Sequence, residues 1–137
     1  MNRNLKILLI EDDQIEVMKF KRALKKLGFN HLLIETNNGE DALNTLVSEC
    51  RLPDIIILDL NMPKMNGIEF LRSLKKDEYF KFIPIIILTT SRNRNDTLEC
   101  YQIGISGYFI KPLKYEEYVQ LIDRLLTYWS SNELIKG

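Results

Sequence analysis

Neither charge is in excess in this chain: 19 lysines and arginines stand against 19 aspartates and glutamates, for a formal net charge of zero. That balance removes any general electrostatic attraction to DNA or to an anionic membrane, while leaving room for a local basic patch. Long hydrophobic runs are missing as well. The longest apolar stretches end after about six residues, far short of a bilayer span. The start, Met1-Asn2-Arg3-Asn4-Leu5, passes straight into such a stretch and carries no signal-peptide pattern. Cysteine is scarce: Cys50 and Cys100 lack CxxC spacing, and two widely separated thiols argue little for a disulfide. They read as free thiols in a reducing cytoplasm, with packing as their ordinary use. No internal repeat, low-complexity segment or linker breaks the chain. The 137 residues therefore make one domain of common size, long enough to bury a substantial core.

Two patterns alternate along it. Leu5 to Ile10, Leu32 to Thr36, Ile55 to Asp59, Ile85 to Thr89 and Tyr108 to Ile110 are short and rich in aliphatic or aromatic residues. Continuous apolar runs of this kind suit strands covered on both faces. Helical spacing fills the gaps. Val17, Phe20, Leu24 and Leu27 recur at three and four, with Lys19, Arg22, Lys25 and Lys26 on the wet side, and Gly28 stops that helix. Asn38-Gly39 opens a second helix with Ala42, Leu43, Leu46 and Val47 inward. Asn66 caps a third, carrying Ile68, Phe70, Leu71 and Leu74. A fourth, from about Asp96 to Gln102, turns Leu98 and Tyr101 inward and ends at Gly104, and a fifth runs from about Tyr115 to Trp129. Five strands alternating with five helices predict βαβ units and a parallel sheet.

The chemistry sits where the strands stop. Glu11-Asp12 ends the first run, Asp59 the third, Thr89 the fourth and Lys111 the fifth. In one parallel sheet these ends share the edge where open α/β sheets bind ligands. Acidity at a helix start accounts for Asp13, and a strand-end aspartate ordinarily just turns the chain. It does not account for Asp59 beside Glu11 and Asp12, since crowded carboxylates repel unless a cation joins them. Hard oxygen donors on a shallow surface suit Mg²⁺. In Asp59-Leu60-Asn61-Met62-Pro63 the carboxylate leaves the strand and Pro63 fixes a loop. A carboxylate beside a cation can attack phosphorus, with the Thr89 hydroxyl and the Lys111 ammonium to receive the phosphoryl oxygens.

At these motifs the chain resembles the response-regulator receiver domains of two-component signalling, in particular the stand-alone type associated with phytochromes. The resemblance spans nearly all of the sequence. It is carried by Leu8-Leu9-Ile10-Glu11-Asp12-Asp13, by Leu58-Asp59-Leu60-Asn61-Met62-Pro63 with Met65-Asn66-Gly67, by Leu88-Thr89-Thr90-Ser91, and by Gly107-Tyr108-Phe109-Ile110-Lys111-Pro112. It implies a flavodoxin-like, doubly wound sheet of five parallel strands in the order 2-1-3-4-5 with five helices. It further implies a receiver over 1–130, a short tail over 131–137 and no output domain. By position, Asp59 would be the phosphoacceptor and the modified residue. Glu11, Asp12, Asp59 and the Asn61 carbonyl would hold Mg²⁺, and Thr89 and Lys111 would take the phosphoryl group. Thr89 and Tyr108 would form the switch, and Lys111-Pro112 would be a cis peptide that aims the lysine. Asn61 and Ser91 would border the water that removes the phosphate.

The implied partner is a sensor histidine kinase or phosphotransfer protein, with cytoplasmic location, no direct nucleic-acid contact and no membrane. The implied protein is a phosphoacceptor that catalyses only its own modification and its loss. An aspartate-based phosphatase would want a second acid where Asn61 stands, and a cap for which there is little room. A flavodoxin-like cofactor binder would want a hydroxyl- and glycine-rich loop where Glu11-Asp12-Asp13 stands. His31 lacks the setting of a phosphorelay histidine and reads as an exposed turn residue, and Arg92 and Arg94 as solvated charge. In the last helix Tyr118, Leu121, Ile122, Leu125 and Trp129 form one apolar stripe, and Tyr115, Val119 and Leu126 a second. That surplus predicts either a homodimer surface on the face of the fourth helix, fifth strand and fifth helix, or a broad core helix tucked under Leu134-Ile135.

Overall fold

The computed structural model describes residues 3–62 and 65–135. Pro63, expected to fix the loop after Asp59, lies outside the described residues. The order is β1 (Lys6–Ile10), α1 (Gln14–Leu27), β2 (Leu32–Thr36), α2 (Gly39–Ser48), β3 (Ile55–Leu58), α3 (Gly67–Lys76), β4 (Ile85–Thr89), α4 (Arg94–Ile103), β5 (Gly107–Ile110) and α5 (Tyr115–Ser130). All five strands pair in parallel in the order β2-β1-β3-β4-β5, as expected.

Alternation along the strands divides the core in two. Ile7, Leu9, Ile55, Ile57, Ile86 and Leu88 face α1 and α5, while Leu8, Ile10, Ile56, Leu58, Ile85 and Ile87 face α2, α3 and α4. Every residue of β1, β3 and β4 is buried, which is why these strands read as unbroken apolar runs. The edge strands β2 and β5 are only partly covered. Helix ends follow their signals closely. Asp13 caps α1 by accepting the Ile15 N–H at 2.9 Å, so its acidity serves the helix start. Gly28, at φ 72°, ends α1 in the left-handed region that other residues avoid. Asn38 caps α2, and Asn66 with Glu69 forms a reciprocal capping box on α3.

Several inward and outward assignments need correction. Val47 on α2, and Leu98 and Tyr101 on α4, are exposed, and the residue that α4 buries is Cys100. The broad stripe of α5 is core: Tyr118, Val119, Leu121, Ile122, Leu125 and Leu126 are all buried, with Tyr115 and Trp129 packed against them. Leu134 completes that layer while Ile135 stays exposed. The helix needs both stripes because it is covered from two directions, by the sheet and by α1. His31 is partly buried, and its Nδ1 accepts the Leu5 N–H at 2.9 Å. No described peptide bond is cis, Lys111–Pro112 included. Trans is the intrinsically favoured isomer, and the lysine is aimed by its ion pairs instead.

Candidate functional site

Hydrogen bonding that runs past the strand ends aligns the chemical residues. The Asp59 N–H donates to the Ile10 carbonyl at 3.0 Å, the Glu11 N–H to Thr36 at 3.0 Å, and the Lys111 N–H to Thr89 at 2.8 Å. Each of these three side chains is thus the first after its strand and is registered against a neighbouring strand. Gly67 completes the frame. A Cβ there would lie 2.6 Å from the Asp59 carbonyl oxygen and 2.6 Å from the Leu60 Cα, both backbone. Only glycine lets the first turn of α3 close on the segment that presents Asp59.

Glu11, Asp12 and Asp59 offer carboxylate oxygens within 4.8 Å of one another. Glu11 and Asp59 are buried and Asp12 is exposed, so the cluster opens on one side. It lines a cleft with Asn61, Thr90, Lys111 and Glu16. Lys111, itself buried, places Nζ 2.6 Å from Glu11 Oε1 and 3.0 Å from Glu16 Oε1. Burial alone would lower the lysine's pKa. The bond to Glu11 and the nearby charges of Glu11, Asp59 and Glu16 outweigh it and hold the ammonium above its ordinary range. Glu11 is pushed up to about 7, first by burial and then by Asp59, against the pull of Lys111. Negative charge is therefore in surplus here. The opposite edge of the sheet offers a contrast. There Lys6 and Arg51 answer Glu49 and Asp54 one for one, through Lys6–Glu49 at 2.7 Å, Arg51–Asp54 at 3.1 Å and the Lys6 N–H on Asp54 at 2.7 Å.

Thr89 and Tyr108 stand differently from the acids. Thr89 is fully buried, and Thr90 rather than Thr89 lines the cleft. The Thr89 hydroxyl accepts the Ser91 N–H at 3.3 Å, and the Tyr108 hydroxyl donates to the Ser91 carbonyl at 3.0 Å. Ser91 Oγ donates to Asp96 Oδ2 at 3.0 Å, in the first turn of α4. One residue therefore joins both expected switch side chains to a helix. Sequence reasoning placed Ser91 only beside a water path, and its backbone bonds leave no trace in residue type. It missed Glu16 altogether, because an acid in a helix's first turn is ordinary. It also put Lys19 on the wet side. Lys19 is partly buried, 3.3 Å from Glu16 Oε2, and its Nζ lies 4.7 Å from the centroid of the Tyr118 ring.

Comparison with known proteins gives the same picture. Residues 7–123 match the family model described as the response regulator receiver domain. The chain is 34% identical over 127 residues to the probable methanogenesis regulatory protein FilR2 of Methanothrix harundinacea, covering 90% of this chain and 82% of that one. It is 30% identical over 128 residues to response regulator Rcp1 of Synechocystis, covering 90% and 87%. The Mn²⁺-bound structure of Rcp1 superposes with a TM-score of 0.87 at 28% identity, covering 96% of this chain and 99% of that one. The phosphorylated cyanobacterial phytochrome response regulator RcpA superposes with a TM-score of 0.89 at 30% identity, again covering 96% and 99%. Among the described residues, no helix is long and apolar enough to cross a membrane. The chain belongs to the response regulator receiver domain family and works in phosphorylation-based signalling.

Proposed function

We propose that Asp59 is the phosphoacceptor of a Mg²⁺-dependent switch, and that the switch signals through α4 and β5. The observation that carries this is the carboxylate cluster of Glu11, Asp12 and Asp59, edged by the Lys111 ammonium. Its donor set is oxygen only, partly open and short of positive charge, which fits a hard divalent cation. Glu11, Asp12, Asp59 and the backbone of Asn61 would hold it, and Mn²⁺ in the related Rcp1 is consistent with that fit. A cation there would neutralise charge on the transferring phosphoryl group.

The chain's own groups do the rest. An Asp59 carboxylate oxygen attacks the phosphorus of a phosphohistidine on a sensor kinase or phosphotransfer protein. The P–N bond breaks, the imidazole leaves with a proton taken up from solvent, and Asp59 becomes an acyl phosphate. Lys111 pairs with the added negative charge. Thr89 must give up the Ser91 N–H to turn its hydroxyl toward a phosphoryl oxygen, and that exchange loosens the segment holding Tyr108 and Asp96. An existing two-state equilibrium of α4 is thereby biased. Water attack on phosphorus then breaks the P–O bond to Asp59, releasing phosphate and restoring the carboxylate. In this reading the protein catalyses only its own modification and its loss. A homodimer through α4, β5 and α5 finds the two apolar stripes of α5 already buried and would depend on the exposed Tyr128 of α5 with Leu98 and Tyr101 of α4.

Acetyl phosphate with Mg²⁺, followed by intact-mass measurement, tests the assignment. The expected result is an adduct of about 80 Da that is absent without Mg²⁺ and absent in Asp59→Asn. An adduct that survives the substitution would overturn the assignment.

A further inference from the structure

We propose that Glu16 is a positioning residue for Lys111, holding the ammonium at the phosphoryl site when a cation draws Glu11 away. The inference rests on the reading of Lys111 given above and adds a residue that the site's motifs do not contain. A lysine ammonium has three donors on a flexible four-carbon stem, so one tether leaves it free to swing. Here two carboxylates hold it, Glu11 at 2.6 Å and Glu16 at 3.0 Å. They are not equivalent. Glu11 belongs to the cluster that can hold a cation, and Glu16 does not. A divalent ion shared by Glu11, Asp12 and Asp59 competes with Lys111 for the Glu11 oxygens, since both are cations seeking the same lone pairs. The Lys111–Glu16 bond is free of that competition.

Glu16 is also built to stay put. It sits in the first turn of α1, a rigid element whose start is fixed by the Asp13 cap. Its second oxygen is taken by Lys19 at 3.3 Å, and Lys19 is in turn seated over the Tyr118 ring of the buried α5 face. Lys111 is thus anchored from α1 and α5, on the opposite side of the sheet from Thr89 and α4. An ammonium held in place reaches a phosphoryl oxygen without first losing its stem's freedom, which is the use of a second tether.

The side-chain ¹⁵Nζ resonance of Lys111, which is visible only when the ammonium is held against exchange with water, reads this directly. In the wild type we expect it to persist when Mg²⁺ is added. In Glu16→Gln it should be visible without Mg²⁺, through Glu11, and broaden away with Mg²⁺. Glu16→Asp should restore part of it. Asp13→Asn keeps the helix cap and removes one charge from the same cleft without touching Lys111, and should leave the resonance intact. Phosphorylation of Asp59 by acetyl phosphate should slow about tenfold in Glu16→Gln, the difference between a charged and a neutral acceptor for the ammonium. That difference should vanish when Glu16→Gln is made in a Lys111→Met background. A resonance that survives Mg²⁺ in Glu16→Gln would overturn the proposal. So would an equal loss in Asp13→Asn, or a tenfold slowing that persists without Lys111. Failure of wild-type Asp59 to be modified would instead remove the phosphoacceptor reading, and the resonance test would still decide the role of Glu16.

Discussion

Helices α4 and α5 flank the same edge strand, β5, yet they are held in opposite ways. On α5, six apolar residues from Tyr118 to Leu126 are buried against the sheet and α1. On α4 the buried residue is Cys100, while Leu98 and Tyr101 face outward. Polar contacts fix α4: the Asn93 cap, the Arg72–Glu99 ion pair to α3, and the Ser91–Asp96 bond, the last reaching back through Ser91 to Thr89 and Tyr108. A helix anchored by apolar burial moves only if the core opens. A helix anchored by a few polar contacts moves when one of them is exchanged. In the proposed switch α5 would hold the site's frame and α4 would answer it.

The difference between α4 and α5 should be largest in the core. Ile122→Ala on α5 should cost about 2–5 kcal/mol, because a fully buried side chain leaves a cavity. Leu98→Ala on α4 should cost no more than about 0.5 kcal/mol. Urea unfolding of both variants checks the pair, and comparable losses would mean that α4 is as firmly packed as α5. An intermediate effect belongs to the polar hub. Tyr108→Phe removes the donor to the Ser91 carbonyl and should cost about 0.5–1.5 kcal/mol. Amide exchange should quicken around Ser91 and at the start of α4 while α5 stays protected. Faster exchange in α5 would sink the separation of the two.

The smallest effect lies at the far end of the sheet. Burial holds the His31 pKa below its ordinary 6.5, so the folded state takes up a proton less readily than the unfolded chain. The stability this contributes is present above pH 6.5 and is lost as pH falls through the lowered folded value. His31→Asn keeps an acceptor for the Leu5 N–H and cannot titrate. Its stability should fall less steeply than the wild type's as pH drops below 6.5. Chemical denaturation across that range would show whether the slopes differ.

The sheet and the edge that carries the candidate site were legible because buried strands write themselves as apolar runs, and Glu11, Asp59, Thr89 and Lys111 stand where those runs stop. Caps at Asn38 and Asn66 and the stop at Gly28 were legible for the same local reason. The faces of α4 and α5 were not. Leu98 and Tyr101 share one helical face and Cys100 and Ile103 another, and periodicity cannot say which of the two lies over the sheet. The double stripe of α5 suggested surplus surface only because the cover from α1 and Leu134 is a tertiary fact. Glu16 and Lys19 were unreadable for a further reason. Charged residues in a helix's first turns are common, and only the position of Lys111, about a hundred residues away in the chain, gives these two a task.

Modification of Asp59 should move α4 while α5 stays still. Amide hydrogen exchange, measured with Mg²⁺ before and after acetyl phosphate in the wild type and in Asp59→Asn, tests that most directly. The predicted result is a change confined to the segment from Thr89 through α4 and β5, seen in the wild type alone, with α5 unaltered. The same change in Asp59→Asn, or a change centred on α5, would contradict it.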